Sequence, residues 1–177
     1  MSTAAIEQHE TTSPSEELWS VAQGEKNGQP LLIRFRNEPP QGVDAKAYPL
    51  LLSCTWSYRA NGAGMPDAKE LERMTRFEEA VESALEGSQS GYLMVVLTGN
   101  GDRDWLFYSR GEEESMRQVN QGLKGHPVYP VEFSAQRDPQ WRAWRQFLPG
   151  GNSSGSAGGL LGIVERAIAL VGRALGR

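Results

Sequence analysis

Between residues 17 and 148 the hydrophobic pattern switches repeatedly between a period of two and a helical period. Leu31, Ile33 and Phe35 alternate with Arg34 and Arg36, which predicts a strand. Trp19–Gln23 has the same character, and Glu25-Lys26-Asn27-Gly28 between them carries an Asn-Gly turn signal, so the two runs read as a hairpin. In YPLLLSCTWSY (48–58), Leu50, Leu52, Cys54 and Trp56 alternate with Leu51, Ser53, Thr55 and Ser57, predicting a half-buried strand with one polar face. Residues 67–86 then place Leu71, Met74, Phe77, Val81 and Leu85 on one side of a helix. Asp67 with Glu70 three residues on supplies its N-terminal capping pattern.

The strongest local signal is YLMVVLTGNGDRDWLFY (92–108), two β-prone runs flanking Asn100-Gly101, the preferred type I′ pair. That turn would oppose Thr98 to Arg103, Val96 to Trp105 and Met94 to Phe107. On the other face it would oppose Leu97 to Asp104, Val95 to Leu106 and Leu93 to Tyr108. Met116, Val119 and Leu123 predict a second helix over 112–123, and Val128–Ser134 reads as a strand that Pro130 pushes to a sheet edge. Asp138-Pro139 reads as the start of a short helix carrying Trp141, Trp144 and Leu148. From residue 48 the order is strand, helix, strand, strand, helix, strand. This predicts an α+β fold, a ferredoxin-like βαββαβ sandwich with an extra N-terminal β-hairpin and a detached C-terminal amphipathic helix. The first and third strands of that run belong in the centre, with both helices on one face.

Composition divides the chain into four parts. Residues 1–16 are polar and aperiodic, a disordered N-terminus; 17–148 form the ferredoxin-like domain; 149–159, PGGNSSGSAGG, have the make-up of a flexible linker; and 160–177 wind into an amphipathic helix. Its wide apolar side includes Leu160, Val164, Ile168, Val171 and Leu175, with Glu165, Arg166, Arg173 and Arg177 opposite. Such a face seeks its own core, a second subunit in a homo-oligomer, or a membrane surface.

Charge and rare residues exclude several functions. The chain has 177 residues and a net charge of −4. Three arginines against one glutamate make 160–177 +2, so everything before it carries −6. No nucleic-acid partner is expected of an acidic body, because Lys and Arg supply most of that affinity. The one cysteine, Cys54, rules out an internal disulfide, and His9 and His126 are too few for a dedicated histidine metal site. No metal and no cofactor is therefore expected, and the GNGD stretch joins strands instead of opening a helix, unlike a phosphate loop. Cys54 falls on an apolar strand face and His126 precedes Pro127 in a loop, so neither forms a nucleophile–base pair. The N-terminus lacks a basic stretch followed by an apolar one, and a cytoplasmic location is expected.

The runs YPLLLSCTWSY, MPDAKELERMTRFEEAVESALE, TGNGDRDWLFY and DPQWRAW resemble domain of unknown function family 695 across roughly 17–147. The most specific piece is carried by Thr98 to Gly101, Arg103, Trp105, Phe107 and Tyr108. The resemblance implies no established activity. It does imply a likeness to small protein regulators that inhibit ribonuclease E, hence a non-enzymatic regulatory module with a protein partner. Asn100, Arg103 and Trp105 are the candidate interaction residues, with no catalytic residue assigned. The alternative is a hydrolase using carboxylates such as Asp104 and Glu78 around the Arg103 hairpin, and it requires those groups to converge.

Overall fold

The computed structural model describes residues 18–26 and 28–150. The expected disordered N-terminus, the body of the linker and the C-terminal helix, with Leu160, Val164, Ile168, Val171 and Leu175, lie outside the described residues. Six strands alternate with three helices: β1 Trp19–Lys26, β2 Gln29–Arg36, β3 Leu50–Ser57, α1 Ala68–Gly87, β4 Gly91–Gly99, β5 Asp102–Ser109, α2 Glu112–Gly122, β6 Val131–Arg137 and α3 Arg142–Arg145. A 3-10 turn, Ala45–Ala47, precedes β3. The strands form one sheet in the order β1-β2-β4-β5-β3-β6, antiparallel at every pairing. The protein is thus a mixed α+β fold whose edges are β1 and β6.

Local chemistry accounts for most element ends. The Asp67 carboxylate accepts from the Glu70 backbone N–H at 2.8 Å and caps α1. Asn100 and Gly101, at φ 54° and 86°, both take the left-handed conformation that a two-residue type I′ turn requires. Glu112, Glu113 and Glu114 fill the first turn of α2, where the helix dipole favours them.

The sheet is buried on both faces. Under α1 and α2, Met74, Phe77, Val81, Leu85 and Val119 pack on Leu52, Cys54, Trp56, Leu93, Val96, Trp105 and Phe107. On the other face, Leu31, Ile33, Phe35, Leu51, Leu106 and Tyr108 are covered by Tyr48, Trp141 and Trp144. Trp141 stacks flat on Tyr108, with ring centroids 4.2 Å apart and planes at 12°.

Several expectations change on inspection of the packing. The face of β3 expected to be polar buries Leu51 and Ser53, because the segment after β6 folds back over it. Leu71 lies on the expected side of α1 but is 42% exposed, because it falls at the margin of the stripe that Met74, Phe77, Val81 and Leu85 bury. A β-bulge between Leu93 and Val95 shifts the β4–β5 register, so Leu93 opposes Phe107 and Tyr92 opposes Tyr108. Pairs from Thr98–Arg103 to Val95–Leu106 stand as expected, while Met94 joins Val95 on the Trp141 side. The strand expected over 128–134 runs instead from Val131 to Arg137. Asp138 is not the N-cap residue of α3, although its carboxylate reaches the first turn. Trp141 stands at the helix N-terminus at φ 55°, and the Asp138 carboxylate accepts from the Ala143 backbone N–H and the Tyr108 hydroxyl, at 2.9 and 2.6 Å.

Candidate functional site

One stripe of α1 carries Glu78, Glu82 and Glu86, each four residues after the last and therefore neighbours along the helix surface. They meet Arg34 and Arg36, the two arginines that alternate with the apolar residues of β2. Glu78 is the most enclosed. Its Oε2 accepts from Arg103 Nη2 and from Trp105 Nε1, both at 2.7 Å, and its Oε1 accepts from Arg34 Nη2. Farther along, Arg36 donates from Nε to the Leu93 carbonyl at 2.8 Å and from Nη2 to Glu86 Oε1 at 2.8 Å, with Glu82 Oε1 at 3.4 Å. The Trp19 ring lies against both guanidinium groups, 4.7 Å from Arg34 Cζ and 4.9 Å from Arg36 Cζ. The result is a charged seam that fastens the β1–β2 hairpin to α1.

The seam separates its carboxylates electrostatically. Burial alone would raise Glu78, but Arg34 and Arg103 outweigh it and hold the carboxyl below its usual range. With both oxygens engaged by hydrogen-bond donors and its carboxyl held in the charged form, Glu78 is a structural anchor of the seam. Glu82 is pushed up to about 7 by burial first, then by Glu86 and Glu78, against the opposing pull of Arg36. Glu86 is raised as well, chiefly by burial.

Residues 17–149 match the family described as a family of unknown function, DUF695. The chain belongs to this family. Among curated proteins none matches it. The DUF695 region takes in every described strand and helix, so the seam and both cores lie inside it.

Within this DUF695 body the predicted residues fall in different environments. Asn100 sits at the hairpin tip, which is tied down rather than free. The Gly101 N–H donates to the Gly64 carbonyl at 3.2 Å, and its carbonyl accepts from the Tyr58 N–H at 2.8 Å. Arg103, a candidate interaction residue, has a side chain only 12% exposed because Glu78 draws it under α1. Trp105 is fully buried, its indole N–H spent on Glu78, so it supports the seam from inside and presents no ring to a partner. Glu78 and Asp104 do not converge. Arg103 and Trp105 point to the helix side and Asp104 to the other face, where its carboxylate accepts from Thr55 Oγ1 at 2.6 Å. Burial raises Asp104 to about 6 despite that hydrogen bond. Cys54 is buried and its thiol is pushed up, by burial first and then by Asp104, which makes it an inert core group. His126 Nδ1 lies 3.0 Å from the Tyr129 hydroxyl on an exposed loop.

Trp19, Arg34, Arg36, Glu82 and Glu86 were not singled out by sequence reasoning. The four-residue spacing of acids on α1 against alternating arginines on β2 was the available signal. Among the described residues, no group of three or more His, Cys, Asp or Glu side chains is placed to hold a metal ion. No described helix is long and apolar enough to cross a membrane.

Proposed function

We propose that this DUF695 protein is a non-enzymatic regulatory module that binds a protein partner through the outer side of its β1–β2 hairpin. Its core is ferredoxin-like: the strands of the βαββαβ run follow the order β4-β5-β3-β6, and the hairpin extends that sheet beyond β4. The observation that carries the reading is a pair of exposed apolar side chains on this hairpin. Val21 is 66% exposed and Leu32 is 40% exposed, on a hairpin tied to α1 by the seam. An edge strand offers unpaired backbone donors and acceptors beside these side chains, the elements of strand or helix recognition. Chemistry-bearing groups elsewhere support the same reading, since Glu78, Asp138 and Cys54 are engaged in holding the fold. A cytoplasmic setting suits a chain whose one thiol is reduced and buried.

Affinity capture from native cells, comparing the natural chain with the Val21→Glu/Leu32→Glu double variant, tests the proposal. A partner recovered reproducibly with the natural chain is expected to be lost with the variant while its melting temperature holds. Recovery of the same partner by both chains, or of none by either, would overturn it.

A further inference from the structure

The open edge of β1 is a row of unpaired backbone groups whose phase is fixed by one hydrogen bond. The Asn37 N–H donates to the Leu18 carbonyl at 2.9 Å, and these residues stand opposite in the same register that pairs Trp19 with Arg36 and Lys26 with Gln29. Hydrogen-bonded and non-hydrogen-bonded pairs alternate along an antiparallel ladder, so Ser20, Ala22, Gly24 and Lys26 bond to β2. The N–H and C=O groups of Trp19, Val21, Gln23 and Glu25 therefore point away from the sheet. Natural edges are blunted by proline, a bulge or an inward charge. By contrast, β1 pairs with β2 over all 8 residues without a register shift, contains no proline, and keeps its charges, Glu25 and Lys26, at the turn end.

The two ends of this strand differ in charge on the helix side. At its start the Trp19 ring lies against Arg34 and Arg36, 4.7 and 4.9 Å from their Cζ atoms, and the Arg34 side chain is 38% exposed. Arg34 shares Glu78 with Arg103, so two guanidinium groups rest on one carboxylate. At the turn end Glu25 is exposed and makes no ion pair with any described residue. Exposed Val21 and Gln23 lie between the two ends. A strand with a cationic platform at one end and an acid at the other complements itself when turned antiparallel.

We infer that two copies of this chain pair through β1, antiparallel about a two-fold axis at Ala22, joining their two six-stranded sheets into one. Only registers that set outward residues against outward residues satisfy both edges, and the one centred on Ala22 uses the whole strand. Trp19 then faces Glu25 of the second copy and Val21 faces its Gln23, each twice by symmetry, closing about eight backbone hydrogen bonds. Glu25 comes within reach of the Trp19–Arg34 platform of the second copy, and no two like charges stand opposite. The Val21 side chains become diagonal neighbours across the axis. This goes beyond the partner reading above: a second copy occupies the edge that another protein needs, so the two associations compete.

Sedimentation velocity of the full chain over a range of concentrations tests the pairing. The natural chain is expected to pass from monomer to dimer as concentration rises, and a monomer throughout would overturn the inference. Gln23→Pro removes an outward N–H and leaves the bonds to β2, so it is expected to stay monomeric with a melting temperature close to that of the natural chain. A dimer that survives this change would assign the assembly to another surface and defeat the pairing. Glu25→Lys is expected to weaken association about tenfold, and unchanged association would contradict the register. Cysteine cross-linking locates the axis independently of the proline variant, because Cys54 is buried and does not compete. The two Ala22 Cα atoms would lie about 4.5 Å apart, within disulfide reach, whereas the two Ser20 Cα atoms would be about 14 Å apart. Ala22→Cys is therefore expected to close a disulfide between chains about tenfold faster than Ser20→Cys, or more, and equal rates would overturn the pairing. A captured partner beside a monomeric natural chain defeats the dimer alone, whereas a dimer beside empty captures defeats the partner reading alone.

Discussion

At the scale of single residues, the engaged carboxylates decide how the protein responds to mutation and pH. Glu78→Ala leaves Arg103 under α1 without its counterion and removes the acceptor of a buried indole. A cost of about 3 kcal/mol is expected, at the lower end for a broken buried ion pair because Arg34 can turn to water. The urea midpoint of the variant checks this. Asp104 acts in the opposite sense. Its folded value of about 6 lies above the ordinary 3.8, so the folded state holds the proton more tightly. Its contribution is therefore full below about pH 4 and is lost as pH rises through 6, on the order of 3 kcal/mol. Asp104→Asn keeps an acceptor for Thr55 and removes the titration. Its stability is expected to vary less with pH between 4 and 7 than that of the natural chain, and parallel pH profiles would contradict the assignment. Gly99 also limits substitution, since a Cβ there would lie 2.3 Å from the Pro30 carbonyl oxygen in β2. Gly99→Ala is expected to lower the melting temperature more than Gly101→Ala, where the nearest atom is 3.5 Å away.

At the scale of elements, α1 is both the lid of one core and the anchor of the hairpin. Its start depends on Asp67, and Asp67→Ala is expected to cost about 1 kcal/mol in urea unfolding. Its apolar spacing made Met74, Phe77, Val81 and Leu85 legible as core before any contact was known. The same spacing included Leu71, which lies at the margin of that stripe and stays exposed. For the β4–β5 hairpin, turn chemistry alone gave the register from Thr98–Arg103 to Val95–Leu106. The bulge beyond it carries no local signature in LMVV, because it arises where Leu93 must face α1 while Met94 and Val95 both face Trp141.

At the scale of the whole molecule, one sheet joins two cores, and each supplies surface that the other cannot replace. Unfolding is expected to be a single transition, with tryptophan fluorescence and far-ultraviolet circular dichroism coinciding; a separate early loss of the Trp141–Tyr108 stack would show that the faces uncouple. Element types, the Asn100-Gly101 turn, the capped start of α1 and the net acidity of the chain were determined by the sequence, since each depends on composition or on residues near one another in the chain. The tertiary structure decided the rest. It closed the second face of β3 with Tyr48, Trp141 and Trp144, drew Arg103 from the hairpin tip to Glu78, and set Asp104 on the far side of the sheet. These depend on residues such as Arg34 and Glu78, or Trp144 and Arg36, that are 44 and 108 positions apart. A local pattern can state that a side chain needs a partner, but which partner arrives is settled only when burial makes leaving it unpaired more costly than bringing the two segments together.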